Sequence, residues 1–236
     1  MKKLFNIALT AVVLAALSSC TFVRINNKAF NKAVRERVLP SETIAHSTYN
    51  VPQFTGIDAS IAVDINYIMT DSDPVVEVEA PDNYIDHLYF PVEDGILKVR
   101  FDDDRRYTSY KVRVTVSSAT LESLTIRGAG DFKTSSGIDC SKMDVQIFGA
   151  GDVTMDQLNC EGEFNVQLAG AGDIFARGLS CQSVKAAVLG AGDVLLTGNA
   201  GSADLKIAGA GDIDINGLDC ENVSTSISGA GKVKRK

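Results

Sequence analysis

The stretch LAGAGDIFARG, residues 168–178, holds the tetrapeptide GAGD between two short apolar segments. The same tetrapeptide begins at Gly128, Gly149, Gly170, Gly190 and Gly209, and a variant, GAGK, begins at Gly229. Successive intervals are 21, 21, 20, 19 and 20 residues. A short fixed period of this kind marks a solenoid, in which each repeat is one coil that buries its apolar face by stacking on its neighbours.

Apolar positions keep register with the glycines. Four and two places before each tetrapeptide stand Val145 and Ile147, Val166 and Leu168, Ala186 and Val188, Leu205 and Ile207, then Thr225 and Ile227. Four and six places after its first glycine stand Val153 and Met155, Ile174 and Ala176, Val194 and Leu196, Ile213 and Ile215. Most of the intervening residues are polar, and a period of two means a strand with one face inward. Each repeat thus predicts a strand, a GAGD corner, a second strand and a short third side such as QLNCEG. The fold class is all-β, a parallel β-helix over 128–236. Glycine at the corner serves either a positive φ or a close approach to the neighbouring coil.

Stacking places Asp131, Asp152, Asp173, Asp193 and Asp212 in one column. Carboxylates about 5 Å apart repel unless they are paired. One reading gives each Asp the backbone N–H groups of its own turn. The other makes the column a set of weak Ca²⁺ sites, since hard cations take carboxylate and carbonyl oxygens. Lys232 replaces the acid in the last repeat, as an end cap that neutralises the column would. Cys140, Cys160, Cys181 and Cys220 also fall in register, while TGNAGS in the fourth repeat has no cysteine. They form either a column of buried thiols or, in an exported protein, disulfides between adjacent coils.

Residues 51–127 read as further short strands without GAGD, among them GIDASIAVDINYIM, VVEVEA, ILKVRF and YKVRVTV. They either continue the β-helix as less regular coils or cap its end, with one continuous β unit as the expectation. Upstream, MKKLFNIALTAVVLAALSSC has a basic start, an apolar run and a small-residue end, the pattern of a signal peptide over residues 1–19. Residues 20–50 then read as a lipidated N-terminus and linker. Removing the signal leaves 21 basic against 30 acidic residues, which disfavours nucleic acid as a partner.

Catalytic signatures are missing. Only His46 and His87 are present, the first in the linker and the second beside Asp86, so any Ser/His/Asp arrangement rests on His87. GAGK at 229–232 lacks the spacing of a phosphate loop. Asp102, Asp103 and Asp104 with Arg105 and Arg106 read as a solvated turn.

The LSSC ending resembles the lipobox of bacterial lipoproteins, which implies that Cys20 is acylated and tethers the chain to a membrane. Together with VEDGILKVRF, ATLESLTIRGAGD and the iterated GAGD turns, it resembles the auto-transporter adhesin head domains of the GIN type, over roughly residues 53–233. The resemblance implies an all-β, β-helical domain of an exported bacterial protein with an adhesin role, and it supplies no catalytic residues to carry over; with Cys20 the expected location is the outer membrane, as a lipoprotein. The resulting expectation is a non-enzymatic envelope module that binds a glycan, matrix protein or envelope component. The rival is a carbohydrate-processing enzyme or a calcium-binding β-helix. Basic rather than acidic residues follow Cys20, which favours the periplasmic face over the cell surface without deciding between them.

Overall fold

The Val, Ile and Leu residues two and four places before GAGD, and four and six places after its first glycine, turn inward in the computed structural model, which describes residues 37–108 and 112–236. Val38–Lys236 forms one unit, distinct from Met1–Arg37, and is described by itself. Residues 1–19, read above as a signal peptide, and Cys20 lie outside the described residues.

The unit is a three-sided β-solenoid. On the first side Gly56–Ala59, Ser123–Ile126, Met143–Ile147 and the ends of three long strands lie parallel, closed by Asn222–Ile227. The GAGD corner leads to a second parallel side, with Asp64–Met69, Phe132–Thr134, Val153–Asp156, then the starts of the strands from Ile174, Val194 and Ile213, and finally Val233–Lys234. The third side is short: Ile138–Cys140 pairs Leu158–Cys160, and Leu179–Cys181 pairs Gly198–Ala200. The long strands Leu158–Leu168, Ile174–Val188 and Val194–Ile207 run on through the bends between sides. Register shifts mark those bends, for example between Ala176 and Leu179.

The inward residues stack as columns. Val145, Val166, Ala186 and Leu205 form one and Ile147, Leu168, Val188 and Ile207 another, all buried. Aliphatic residues fit such a column because β-branched and γ-branched side chains pack between rungs of a pleated sheet. The N-terminal half adds larger inward groups, including Tyr67, Tyr84 and Phe132. The Tyr67 hydroxyl lies 3.0 Å from Ser118 Oγ, which satisfies the buried polar pair, and burial holds the phenol above its ordinary pKa.

Residues before Gly128 belong to the same solenoid, but chain order differs from spatial order. Ile96–Phe101 pairs in parallel with Gly56–Ala59, whose other neighbour is Ser123–Ile126. Arg113–Ser118 likewise lies beside Asp64–Met69. The coil built from 96–118 therefore stacks outside the earlier coil, 56–69, and the chain then crosses back over it. Antiparallel strands finish this end: Val75–Pro81 on Arg113–Ser118, and Ile44–Asn50 on Val75–Pro81. Ile44–Asn50, assigned from sequence to the end of a linker, is thus a strand of the folded unit. Its inward positions are Ala45, Ser47 and Tyr49, too weakly apolar to announce it. Among the described residues no helix is long and apolar enough to cross a membrane.

Candidate functional site

Asp131, Asp152, Asp173, Asp193 and Asp212 do form one column, and their hydrogen bonds run between coils rather than within the turn. The Asp152 backbone N–H donates to Asp131 Oδ1 at 2.9 Å, Asp173 to Asp152 at 2.8 Å, Asp193 to Asp173 at 2.8 Å and Asp212 to Asp193 at 2.7 Å. At the end Lys232 N–H donates to Asp212 at 2.9 Å. The first member is one the tetrapeptide pattern misses: Asp131 N–H donates to Asp64 Oδ1 at 3.2 Å. Asp64 ends the corner Ile61–Asp64, which lacks glycine but is followed by an inward pair at the same spacing, Ile65 and Tyr67.

The geometry of the corner explains the whole tetrapeptide. From Ala150 onward each Ala N–H donates to the first Gly carbonyl of the previous coil, for instance Ala171 to Gly149 at 3.0 Å. That carbonyl is then engaged, and the Asp N–H two residues on needs another acceptor, which the Asp side chain of the previous coil supplies, as Asp152 does for Asp173. A Cβ on Gly170 would lie 1.8 Å from Gly149 O, and one on Gly172 would lie 2.0 Å from Gly151 O. Close approach therefore selects glycine here. Positive φ occurs at a different corner, where Gln157, Gly178 and Gly198 turn from the second side to the third.

Lys234, with Nζ 3.1 Å from Asp212 Oδ2, neutralises the end of the column more closely than Lys232 at 3.9 Å. The Asp212 carboxyl is held below the usual carboxylate range, first by the Lys232 backbone N–H and then by the Lys234 ammonium.

Cys140, Cys160 and Cys181 stack in register, followed by Ala200. Asn199 pairs Asp219, so Cys220 continues the column beyond Ala200. The four described cysteines are free thiols. Burial, then the neighbouring Cys160, pushes Cys140 up to about 12, and burial pushes Cys181 to about 11. These are protonated groups at neutral pH and poor nucleophiles.

His87 meets the charged turn rather than a serine. Its Nδ1 lies 3.3 Å from Asp102 and 3.6 Å from Asp103. Among the described residues this trio is the one set of His, Cys or acidic groups close enough together to hold a metal. The Arg105 guanidinium lies 2.7 Å from His87 Nε2 and 2.6 Å from Asp103, where a cation would need to sit. Desolvation of Asp103 is outweighed by the Arg105 N–H, the Arg105 guanidinium and the Tyr107 hydroxyl, so its carboxyl titrates low.

A groove of about 550 Å³ lies on the outer face of the five N-terminal strands of the second side. Strand register builds it from two polar rows. One runs His46, Glu79, Arg113, Asp64 and on to Asp131; the other runs Thr48, Glu77, Thr115, Asn66 and Lys133. Arg113 pairs with Glu79 at 2.8 Å. Carboxylates, an amide, hydroxyls and two cations converge there, and no Phe, Tyr or Trp lines the groove. Such a surface makes directional hydrogen bonds and supplies no stacking platform. The sequence does not announce it, because three of its strands are antiparallel or out of chain order and because His46 falls in the stretch that reads as a linker.

Comparison with known proteins agrees with this architecture. A crystal structure described as a "putative adhesin" from Bacteroides fragilis is 25% identical, with 84% of this chain and all of that chain covered at a TM-score of 0.70. A "putative adhesin" and a "putative lipid binding protein" from Parabacteroides distasonis, each 17% identical over 85% of this chain and all of theirs, share the fold at TM-scores of 0.65 and 0.67. No curated protein matches the chain. The family model described as "Putative auto-transporter adhesin, head GIN domain" matches residues 53–179 and 158–235, and the chain belongs to that family.

Proposed function

We propose that the protein is a non-enzymatic, adhesin-like binding module of the bacterial cell envelope, tethered to the outer membrane by lipid on Cys20. The observation that carries this reading is the two-row polar groove. It offers an extended hydrogen-bonding surface with charges of both signs on rigid strands, and the ligand class it fits is a glycan or a polar segment of an envelope or matrix protein. The family and the Bacteroides fragilis neighbour support the adhesin-like role. Carbohydrate processing is the weaker alternative: the groove has carboxylates, but the His87 cluster is closed by Arg105.

The test is binding of the full-length protein, in membrane vesicles, to panels of glycans and matrix proteins. A groove variant, Glu77→Lys with Lys133→Glu, is run beside it. Binding by the native chain that falls at least tenfold in the variant supports the groove. Equal binding by both moves the site elsewhere, and turnover of any glycan overturns the non-enzymatic reading.

A further inference from the structure

The two ends of the solenoid are built differently. At one end the first-side strand Ile96–Phe101 is covered by antiparallel Leu88–Tyr89 and Val92–Glu93. The second side there ends in antiparallel Val75–Pro81 and Ile44–Asn50. At the other end Asn222–Ile227 pairs only with Val194–Ile207, and Val233–Lys234 only with Ile213–Asp219, among the described residues. Gly217–Asp219 on the third side likewise has a neighbour on one flank alone.

This open end exposes what every earlier coil buries. Ala203, Leu205 and Ile207 are buried, and their partners in register are Val223, Thr225 and Ile227. Ile227 is 49% exposed, Thr225 is exposed, and Val223, Leu218 and Val233 are only partly buried. Solenoid cores normally end in a polar capping repeat, and bare strand edges invite pairing.

We infer that a second copy of the chain covers this end, the two solenoids stacking end to end about a two-fold axis with Asn222–Ile227 pairing antiparallel to its counterpart. Three features select this occupant. A strand laid antiparallel on itself about Thr225 is self-complementary, as an isologous interface must be. The same arrangement brings Asp219 and Glu221, which precede the strand, to the partner corner bearing Lys232 and Lys234. Head-to-tail stacking, by contrast, would set a parallel coil against the antiparallel strands of the opposite end. The pairing joins like ends and stops at two copies.

The experiment is sedimentation velocity of the full-length protein in mild detergent over a wide concentration range, with charge reversals. The expected result is a dimer. Glu221→Lys and Lys232→Glu each weaken it about fivefold, as two symmetry-related ion pairs are lost, and the double variant returns to within about twofold of the native chain. Ile227→Asp weakens it by about tenfold or more, and its melting curve reports whether it folds. Thr225→Cys gives a cross-linked dimer under oxidation, whereas Thr154→Cys, on the outer face of a middle coil, does not. A monomer at every concentration overturns the inference and leaves the end to a different partner. A dimer that none of these changes affects overturns it equally.

Discussion

At the residue scale, glycine and aspartate in the corner do separate jobs, and substitutions separate them. Gly172→Ala places a Cβ about 2.0 Å from the Gly151 carbonyl oxygen, so backbone must move; we expect a loss of about 3 kcal/mol or more in denaturant unfolding. Gly178→Ala has room, its nearest atom being 3.6 Å away, and costs only the left-handed conformation at φ +63°, about 1–2 kcal/mol. Asp173→Ala orphans the Asp193 N–H and costs about 1–2 kcal/mol, while Asp173→Asn keeps an acceptor and costs less than half of that. Acid dependence should be visible at Asp212. Its folded pKa lies below the ordinary 3.8, so its contribution is present above that value and disappears as pH falls through the folded pKa. Asp212→Asn should flatten that part of the acid limb in a pH series of thermal melts. The partner Lys234 is raised above 10.5 by the same pair, so its share persists until strongly alkaline pH.

At the scale of elements, the two side-chain columns make opposite predictions about reagents. Each aspartate from Asp64 to Asp212 has Oδ1 committed to a backbone N–H of the next coil. A ladder held by these bonds owes nothing to calcium, so chelation should leave the melting temperature unchanged and calorimetry should show no heat of Ca²⁺ binding. A rise of several degrees on adding Ca²⁺ would assign the free carboxylate oxygens to the ion. In the cysteine column, Cys140 and Cys160 are buried with raised thiol pKa or a carbonyl acceptor, Cys160 Sγ donating to Glu163 O at 3.2 Å. A disulfide-exchange reagent at pH 8 should label Cys181 and Cys220 slowly, and Cys140 and Cys160 only after denaturation.

At the scale of the whole molecule, the reading of an anchored envelope module turns on residues before the solenoid. Cys20→Ser should abolish incorporation of a labelled fatty acid and release the chain from the membrane fraction while leaving the fold intact, since Cys20 lies outside the unit Val38–Lys236. Protease treatment of intact cells, with a periplasmic protein as control, then assigns the face. Loss of the solenoid with the control intact places the groove outside the cell. Protection reversed only by permeabilisation places it in the periplasm and sends the search for ligands to envelope components.

The period of GAGD, the alternation around it and the columns of Asp and Cys were legible in sequence because a solenoid is nearly one-dimensional. Neighbouring coils repeat the same local environment, so register in the chain becomes register in space. That logic carried Asp131 through Asp212 into one line. It failed where chain order and stacking order diverge. Asp64 heads the column from a corner without glycine, and the coil from 96–118 stacks outside 56–69. Ile44–Asn50 joins the sheet by non-local antiparallel pairing with only a faint inward pattern. The groove is built wholly from such pairings: His46, Glu79, Arg113 and Asp64 share a row only once four strands distant in sequence are placed side by side. Local periodicity thus determined the repeat and its core from sequence alone. Long-range strand order, whose closure entropy and pairing energy no short pattern encodes, decided the site and left one end of the core without a covering strand among the described residues.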